Sequence, residues 1–243
     1  MKWVLAVFLA IMMFGCGESA IDKSGVGTFK DPRDGQAYKT VKIGNQVWMA
    51  QNLNYGKPLE SKKDLSLGEK WCYDDSLVNC EKYGGLYTWE VALKSCPEGW
   101  HLPTLDEWDE LIKFVQRPAQ SQDCEEKYLD GSCKARKKNY SVEAEVLASK
   151  EGWEDFSGEN AFEFNALPSG VAYGNGEFSF LGWGARWWSA IEWELPPDKQ
   201  FSPFGGNRMA YSRYMIRAII VDVSPIQHGA SIRCLRDSAE RVR

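Results

Sequence analysis

Residues 88–115 read TWEVALKSCPEGWHLPTLDEWDELIKFV, and they hold two helix patterns separated by a stop signal. Thr88 is placed to cap the first, in which Trp89, Ala92, Leu93 and Cys96 fall at i, i+3, i+4 and i+7 before Pro97, Glu98 and Gly99 end it. Thr104 and Glu107 form a capping box for the second, a pairing in which hydroxyl and carboxylate each satisfy the other's backbone N–H. Leu105, Trp108, Leu111, Ile112 and Val115 give that helix one apolar face, opposite Asp106, Asp109, Glu110 and Lys113. Solvation explains the acidic residues of the opposite face without any acid–base role.

Outward from this segment the pattern changes period. Residues 38–43 and 46–51 are two β-rich runs around Gly44 and Asn45, which predicts a hairpin. Residues 141–150 suit a short third helix, and after it the chain turns β-like. Expected strands are 162–167, ended by Pro168, then 171–173 and 177–181 around Gly174, Asn175 and Gly176, then 186–189. A long loop over 192–208 precedes a strand at 211–223, and 231–236 is the last strand. On 186–189 the alternation of a strand points one of Trp187 and Trp188 inward and leaves only the other for the surface. Helices in the first half and antiparallel strands in the second argue for an α+β fold.

The 243 residues are 44% hydrophobic and 26% charged, enough for a sizeable core, which excludes disorder. A net charge of -5 supplies no basic field for phosphate backbones, so nucleic acid is not an expected partner. At the N-terminus Lys2 precedes 12 uncharged residues, 3–14, and then Gly15 and Cys16. That run is a secretory signal too short to span a bilayer, and its ending resembles a bacterial lipobox with Cys16 as the lipidated residue. The expected organisation is a lipoprotein signal over 1–15, lipidated Cys16 and a flexible stalk over 16–28, one domain over 29–237, and a tail over 238–243. Two or more acyl chains anchor stably where one does not. With Gly17 rather than Asp after Cys16, the expected location is the outer membrane, the domain facing periplasm or exterior.

Assigning Cys16 to lipid leaves Cys72, Cys80, Cys96, Cys124, Cys133 and Cys234, an even set that reads as three disulfides in an oxidising compartment. Cys72 with Cys80 and Cys124 with Cys133 each bracket a short polar turn suited to local closure. Cys96 and Cys234 remain, and joining them would tie the middle of the chain to its end. Zinc is the rival use of these thiols, but no CxxC pair occurs and the chain has only two His, so no metal and no cofactor is expected.

Five blocks in order carry a resemblance: DPRDGQAYKTVKIGNQVWMAQNLNY at 31–55, YGGLYTWEVALKSCPEGWHLPTLDEW at 83–108, FNALPSG at 164–170, WWSAIE at 187–192 and SIRCLRD at 231–237. Together they resemble the Fibrobacter succinogenes major paralogous domain. More distantly, the helix, the HLPT turn and the EW helix are similar to the C-type-lectin-like fold of formylglycine-generating enzymes. That resemblance implies paired N- and C-terminal strands, two main helices on a twisted antiparallel sheet, a long loop region, and a bond from a first-helix cysteine to one on the last strand, which fits Cys96 and Cys234. It does not carry the enzyme's activity across, because the copper-binding cysteine pair has no counterpart: Cys234 is the only cysteine after Cys133. The sugar-binding calcium triplets of lectins are also missing.

Other catalytic signatures are thin. His101 sits in the family's structural turn, His228 in a turn region between Pro225 and Gly229, and no GxSxG occurs. The chain is therefore read as no enzyme but a lipid-anchored recognition module of the cell envelope, binding glycan or protein. The alternatives are a structural envelope component and, behind it, a relative of the formylglycine-generating enzymes. Aromatic faces beside amides and carboxylates suit sugar rings, and Trp183, Trp193, Glu192, Asn207, Arg208 and Tyr173 are the candidate ligand-binding residues. Changing Cys16→Ser is expected to abolish acylation and leave a wrongly processed precursor. Metabolic labelling with a fatty-acid probe checks this, and label persisting on the Ser variant would overturn it.

Overall fold

The computed structural model describes residues 25–116, 140–194 and 208–238, and the backbone alone of 124–127 and 133–135. The predicted hairpin is present as β2 (Ala37–Ile43) and β3 (Gln46–Met49), with Ile43 opposite Gln46. Gly44 turns the corner at φ +61°, a left-handed conformation that a side chain would resist. With β1 (Val26–Lys30), β6 (Trp100–His101) and β14 (Leu235–Arg236) the hairpin forms an antiparallel sheet in the order β1-β2-β3-β14-β6. The last strand of the chain thus pairs with β3 rather than with β1.

A second sheet runs β10-β9-β11-β12-β13, built from β9 (Ser169–Ala172), β10 (Phe178–Leu181), β11 (Ala185–Trp193), β12 (Met209–Met215) and β13 (Ile219–Pro225). Its ladders are antiparallel except β9 with β11, which run parallel where Gly170 meets Ala185. The single strand expected over 211–223 is in fact the β12–β13 hairpin. The strand expected over 162–167 is reduced to one bridge, Ala166 with Ala148, because Glu163 and Asn165 take φ of +54°, which strand pairing does not accept. Two short ladders, parallel β4 (Lys57–Leu59) with β5 (Glu69–Trp71) and antiparallel β7 (Cys124–Lys127) with β8 (Cys133–Ala135), complete the strands.

The helices are α1 (Leu77–Tyr83), α2 (Trp89–Ala92), α3 (Leu105–Gln116) and α4 (Val142–Leu147). Of the two main helices expected, only α3 has full length. The first is a single turn, since Leu93 already lies 40% exposed and Cys96 is drawn away to Cys234. The capping box of α3 is formed: the Thr104 amide donates to Glu107 Oε2 at 2.8 Å, and the Glu107 amide donates to Thr104 Oγ1 at 3.3 Å. Trp108, Leu111 and Val115 are buried against Trp48, Phe164 and Trp187, with Trp48 and Trp108 centroids 4.7 Å apart. Asp109, read as a solvated residue, instead pairs with the buried Arg213 of β12.

Two disulfides, not three, are formed among the described residues, Cys72–Cys80 and Cys96–Cys234. The expected Cys124–Cys133 bond and the lipidated Cys16 fall on side chains outside them. Trp187 and Trp188 correct a further expectation, since both are fully buried. Trp187 packs into the cluster under α3, and Trp188 into a second cluster with Tyr87, Trp89 and Ile232. β11 is covered on both faces, so alternation sends its two indoles into two cores rather than one core and solvent. No helix of the described residues is long and apolar enough to cross a membrane.

The capping box also titrates. Glu107 Oε1 lies 3.0 Å from His101 Nε2, and His101 Nδ1 lies 2.5 Å from Asp237 Oδ1 beyond β14. Burial raises the Glu107 pKa, but hydrogen bonds from His101 and Thr104 outweigh it and bring the carboxyl from 4.5 to about 2. A carboxyl depressed on folding stabilises the protein above its unfolded pKa and loses that contribution as pH falls from 4.5 to about 2. Allowing for solvent screening of this partly exposed group, Glu107→Gln is expected to cost about 1–2 kcal/mol at neutral pH and to flatten acid destabilisation in that window. Denaturant titrations at pH values across it check this, and an unchanged acid slope in the variant would refute it.

Candidate functional site

One groove of the described residues is walled by turns. One side is residues 61–65, between β4 and β5; the other is the turn 225–228 after β13; Trp71 of β5 lines its interior, and Thr88 and Glu90 close one end. This cleft holds about 200 Å³. Gly174 and Gln227 also line a second, more open depression of about 590 Å³ with Tyr173, Asn175, Glu177 and His228, so the two adjoin. Gly229 lets the turn come this close, because a Cβ there would stand 2.8 Å from the Trp71 ring and 2.9 Å from Ala172 Cβ. Beneath lies a small separate core of Trp71, Tyr73, Leu86 and Ala172.

Chemically the groove pairs ring faces with amides and carboxylates. The Tyr173 ring meets His228 edge-on at 5.2 Å, and at the rim Asn175 Nδ2 donates to Glu177 Oε2 at 2.9 Å. Burial, reinforced by the charge of Arg186, lowers His228 to about 4, so it is neutral at neutral pH. Its Nδ1 is buried and has no hydrogen-bond partner among the described residues. Among the described residues no group of three or more His, Cys, Asp or Glu is placed to hold a metal ion.

The five candidates among the described residues do not form one site. Tyr173 lines the open depression. Glu192 and Arg208 stand at the opposite end: Arg208 Nε donates to Glu192 Oε1 at 2.7 Å and its Nη1 to Glu90 Oε1 at 2.5 Å, and Glu90 lines the cleft. Hydrogen bonding to Arg208 holds the Glu192 carboxyl below its usual range. Trp183 is 50% exposed in the turn from β10 to β11, and half-buried Trp193 ends β11. At about 3.3 Å per residue they are separated by about 30 Å of chain and cannot share a small ligand. Asn207 lies outside the described residues.

Beside Tyr173 the outer face of the second sheet carries a further cluster that the sequence did not announce. Arg186 lies 4.9 Å over the Tyr214 ring and donates to Asp222 Oδ2 at 2.5 Å, while Phe180 meets Tyr214 at 6.1 Å. The 61–65 wall and the 225–228 turn were also missed as parts of a site, because turns have no periodicity to reveal what they face. Pro225 and Gly229 marked a turn, but nothing in the sequence placed it against Trp71. No curated protein and no solved structure matches the chain. The sequence profile described as the Fibrobacter succinogenes major domain matches residues 41–236, from β2 to β14 and across every wall of the groove. The chain belongs to the Fibrobacter succinogenes major domain family.

Proposed function

We propose that the chain is a non-catalytic, lipid-anchored recognition module of the cell envelope that binds glycan along this groove. Cys16 carries the anchor in this reading, and the outer membrane is its location. The observation that carries the glycan reading is Tyr173: a ring at the edge of an open depression, with Asn175, Glu177 and Gln227 on the same rim. Sugar rings present axial hydrogens to such a face and hydroxyls to such amides and carboxylates. A C-type-lectin-like scaffold belongs to the same proposal. It is supported by the Cys96–Cys234 bond, which runs from just after α2 to the residue before β14.

A second reading, a structural component that packs against envelope proteins, is favoured by a different face. Phe180, Trp183 and Ile220 are 45%, 50% and 51% exposed around Tyr214 and the β10–β11 turn. A glycan array probed with the full chain in detergent micelles separates the two. Tyr173→Ala is expected to weaken retention by about 1–3 kcal/mol, roughly 5- to 150-fold, without lowering the melting temperature. Trp108→Ala, by contrast, removes a ring from the core under α3 and is expected to cost about 3–5 kcal/mol of stability. Absence of array binding, or Tyr173→Ala binding as the parent does, would sink the glycan reading.

A further inference from the structure

The 61–65 wall of the cleft belongs to no helix or strand, yet Ser61 is buried. Asp75, in the 3-10 turn Tyr73–Asp75, reaches it with both oxygens: Oδ1 accepts from the Ser61 amide at 2.8 Å, and Oδ2 lies 3.3 Å from the Ser61 hydroxyl. That hydroxyl also lies 3.0 Å from the Gly176 carbonyl, in the turn between β9 and β10. From the interior, Trp71 Nε1 donates to the Lys63 carbonyl at 3.0 Å. An irregular wall is thus fixed at three points, of which the carboxylate supplies the one charge-assisted contact.

The turn that presents Asp75 is itself unusual. Asp74 and Asp75 both adopt left-handed backbone, φ of 52° and 53°, a conformation that costs a side-chain-bearing residue and persists only where surrounding structure enforces it. The enforcement is visible on the sequence. Cys72 immediately precedes the turn and is bonded to Cys80 on α1, closing a loop with a sequence separation of only 8. We propose that Asp75 is the positioning residue of the groove: its carboxylate latches the 61–65 wall in place, and the Cys72–Cys80 bond holds the turn that aims it. The latch is a property of the ligand-free chain. Its consequence for binding rests on the glycan reading of the groove.

Hydrogen exchange read by mass spectrometry on the full chain in detergent micelles tests the latch without any ligand. Asp75→Ala and Asp75→Gly are each expected to speed exchange at residues 61–65 by about tenfold or more, leaving the β2–β3 hairpin amides unchanged. Glycine relieves the left-handed strain, so if strain alone held the wall, Asp75→Gly would protect it as well as the parent does, which would overturn the proposal. Asp75→Asn keeps an acceptor for the Ser61 amide and tolerates the same backbone, so it is expected to retain protection. The paired Cys72→Ala, Cys80→Ala variant is expected to match Asp75→Gly, and parent-like exchange there would remove the disulfide from the latch. On the glycan array Asp75→Gly is expected to bind about tenfold more weakly. Faster exchange with undiminished array binding would keep the latch and move the ligand away from the groove.

Discussion

A buried positive charge without a carboxylate partner among the described residues organises this fold. Arg233 is fully buried just before β14, and desolvation lowers its pKa to about 9, which still leaves it charged at neutral pH. A guanidinium carries five N–H donors in a fixed plane, and burying them unmet is prohibitive. Here the acceptors are Asn52 Oδ1 at 3.1 Å and the carbonyls of Met49, Phe164 and Asn165, with the Phe164 ring 4.5 Å from the guanidinium carbon. Each acceptor lies on a different stretch from the one that carries the charge. Solvating Arg233 therefore requires the end of β3, the segment before β9 and the last strand to be in place together. Asn52 extends the requirement, because its Oδ1 also accepts from Trp187 Nε1 at 2.8 Å and its amide donates to the Tyr83 carbonyl at 2.8 Å.

The tryptophans repeat that logic with neutral donors. Trp48, Trp71, Trp89, Trp153, Trp187 and Trp188 are all buried, and each indole N–H finds an acceptor: Gln46, the Lys63, Ser189 and Ala166 carbonyls, Asn52, and the Tyr87 carbonyl. A buried indole contributes a large apolar area, and in Trp89, Trp187 and Trp188 its N–H also links segments 100 or more residues apart, whereas the buried Trp108 Nε1 has no partner among the described residues. Trp89 on α2 reaches Ser189 on β11, and Trp188 on β11 reaches back to Tyr87. These two bonds fasten the one-turn helix across the second sheet, which is why β11 has no solvent face at its middle. The aromatic richness of the sequence is thus mostly structural, and Trp183 and Phe180 are exposed exceptions among the described residues.

What could be read from the sequence was whatever depends on local chemistry. The Thr104–Glu107 box, the Gly44 corner and the Cys72–Cys80 loop are decided within ten residues of chain, and they stand as read. The Cys96–Cys234 pairing was legible because closing the local pair left few partners and the resemblance supplied one. The two burials of Trp187 and Trp188 were not legible, since period-two alternation says which neighbours oppose one another but not how many faces are covered. The groove was legible only at Tyr173. His228 and Gln227 join it through the close approach of a turn to Trp71, and the wall joins it through Asp75, none of which leaves a spacing in the sequence.

The charges around the groove narrow what it suits. Arg208 is shared between Glu90 and Glu192, Arg186 is engaged by Asp222, and Lys63 pairs with Glu60 at 3.4 Å. Lys62 lays its stem against Gly176, where an added Cβ would meet its Cγ at 2.8 Å. Exposed pairs of this kind are individually weak, but a polyanion entering the groove would have to compete with them while facing Asp64, Glu90 and Glu177. In the proposed glycan reading a neutral polyhydroxyl ligand would meet no such opposition: its hydroxyls would donate to these carboxylates and accept from Asn175 and Gln227, and its ring would stack on Tyr173. The same arrangement that leaves His228 uncharged keeps the depression beside it free of a competing cation, so within the glycan reading the groove selects for hydroxyl pattern and ring shape rather than for charge.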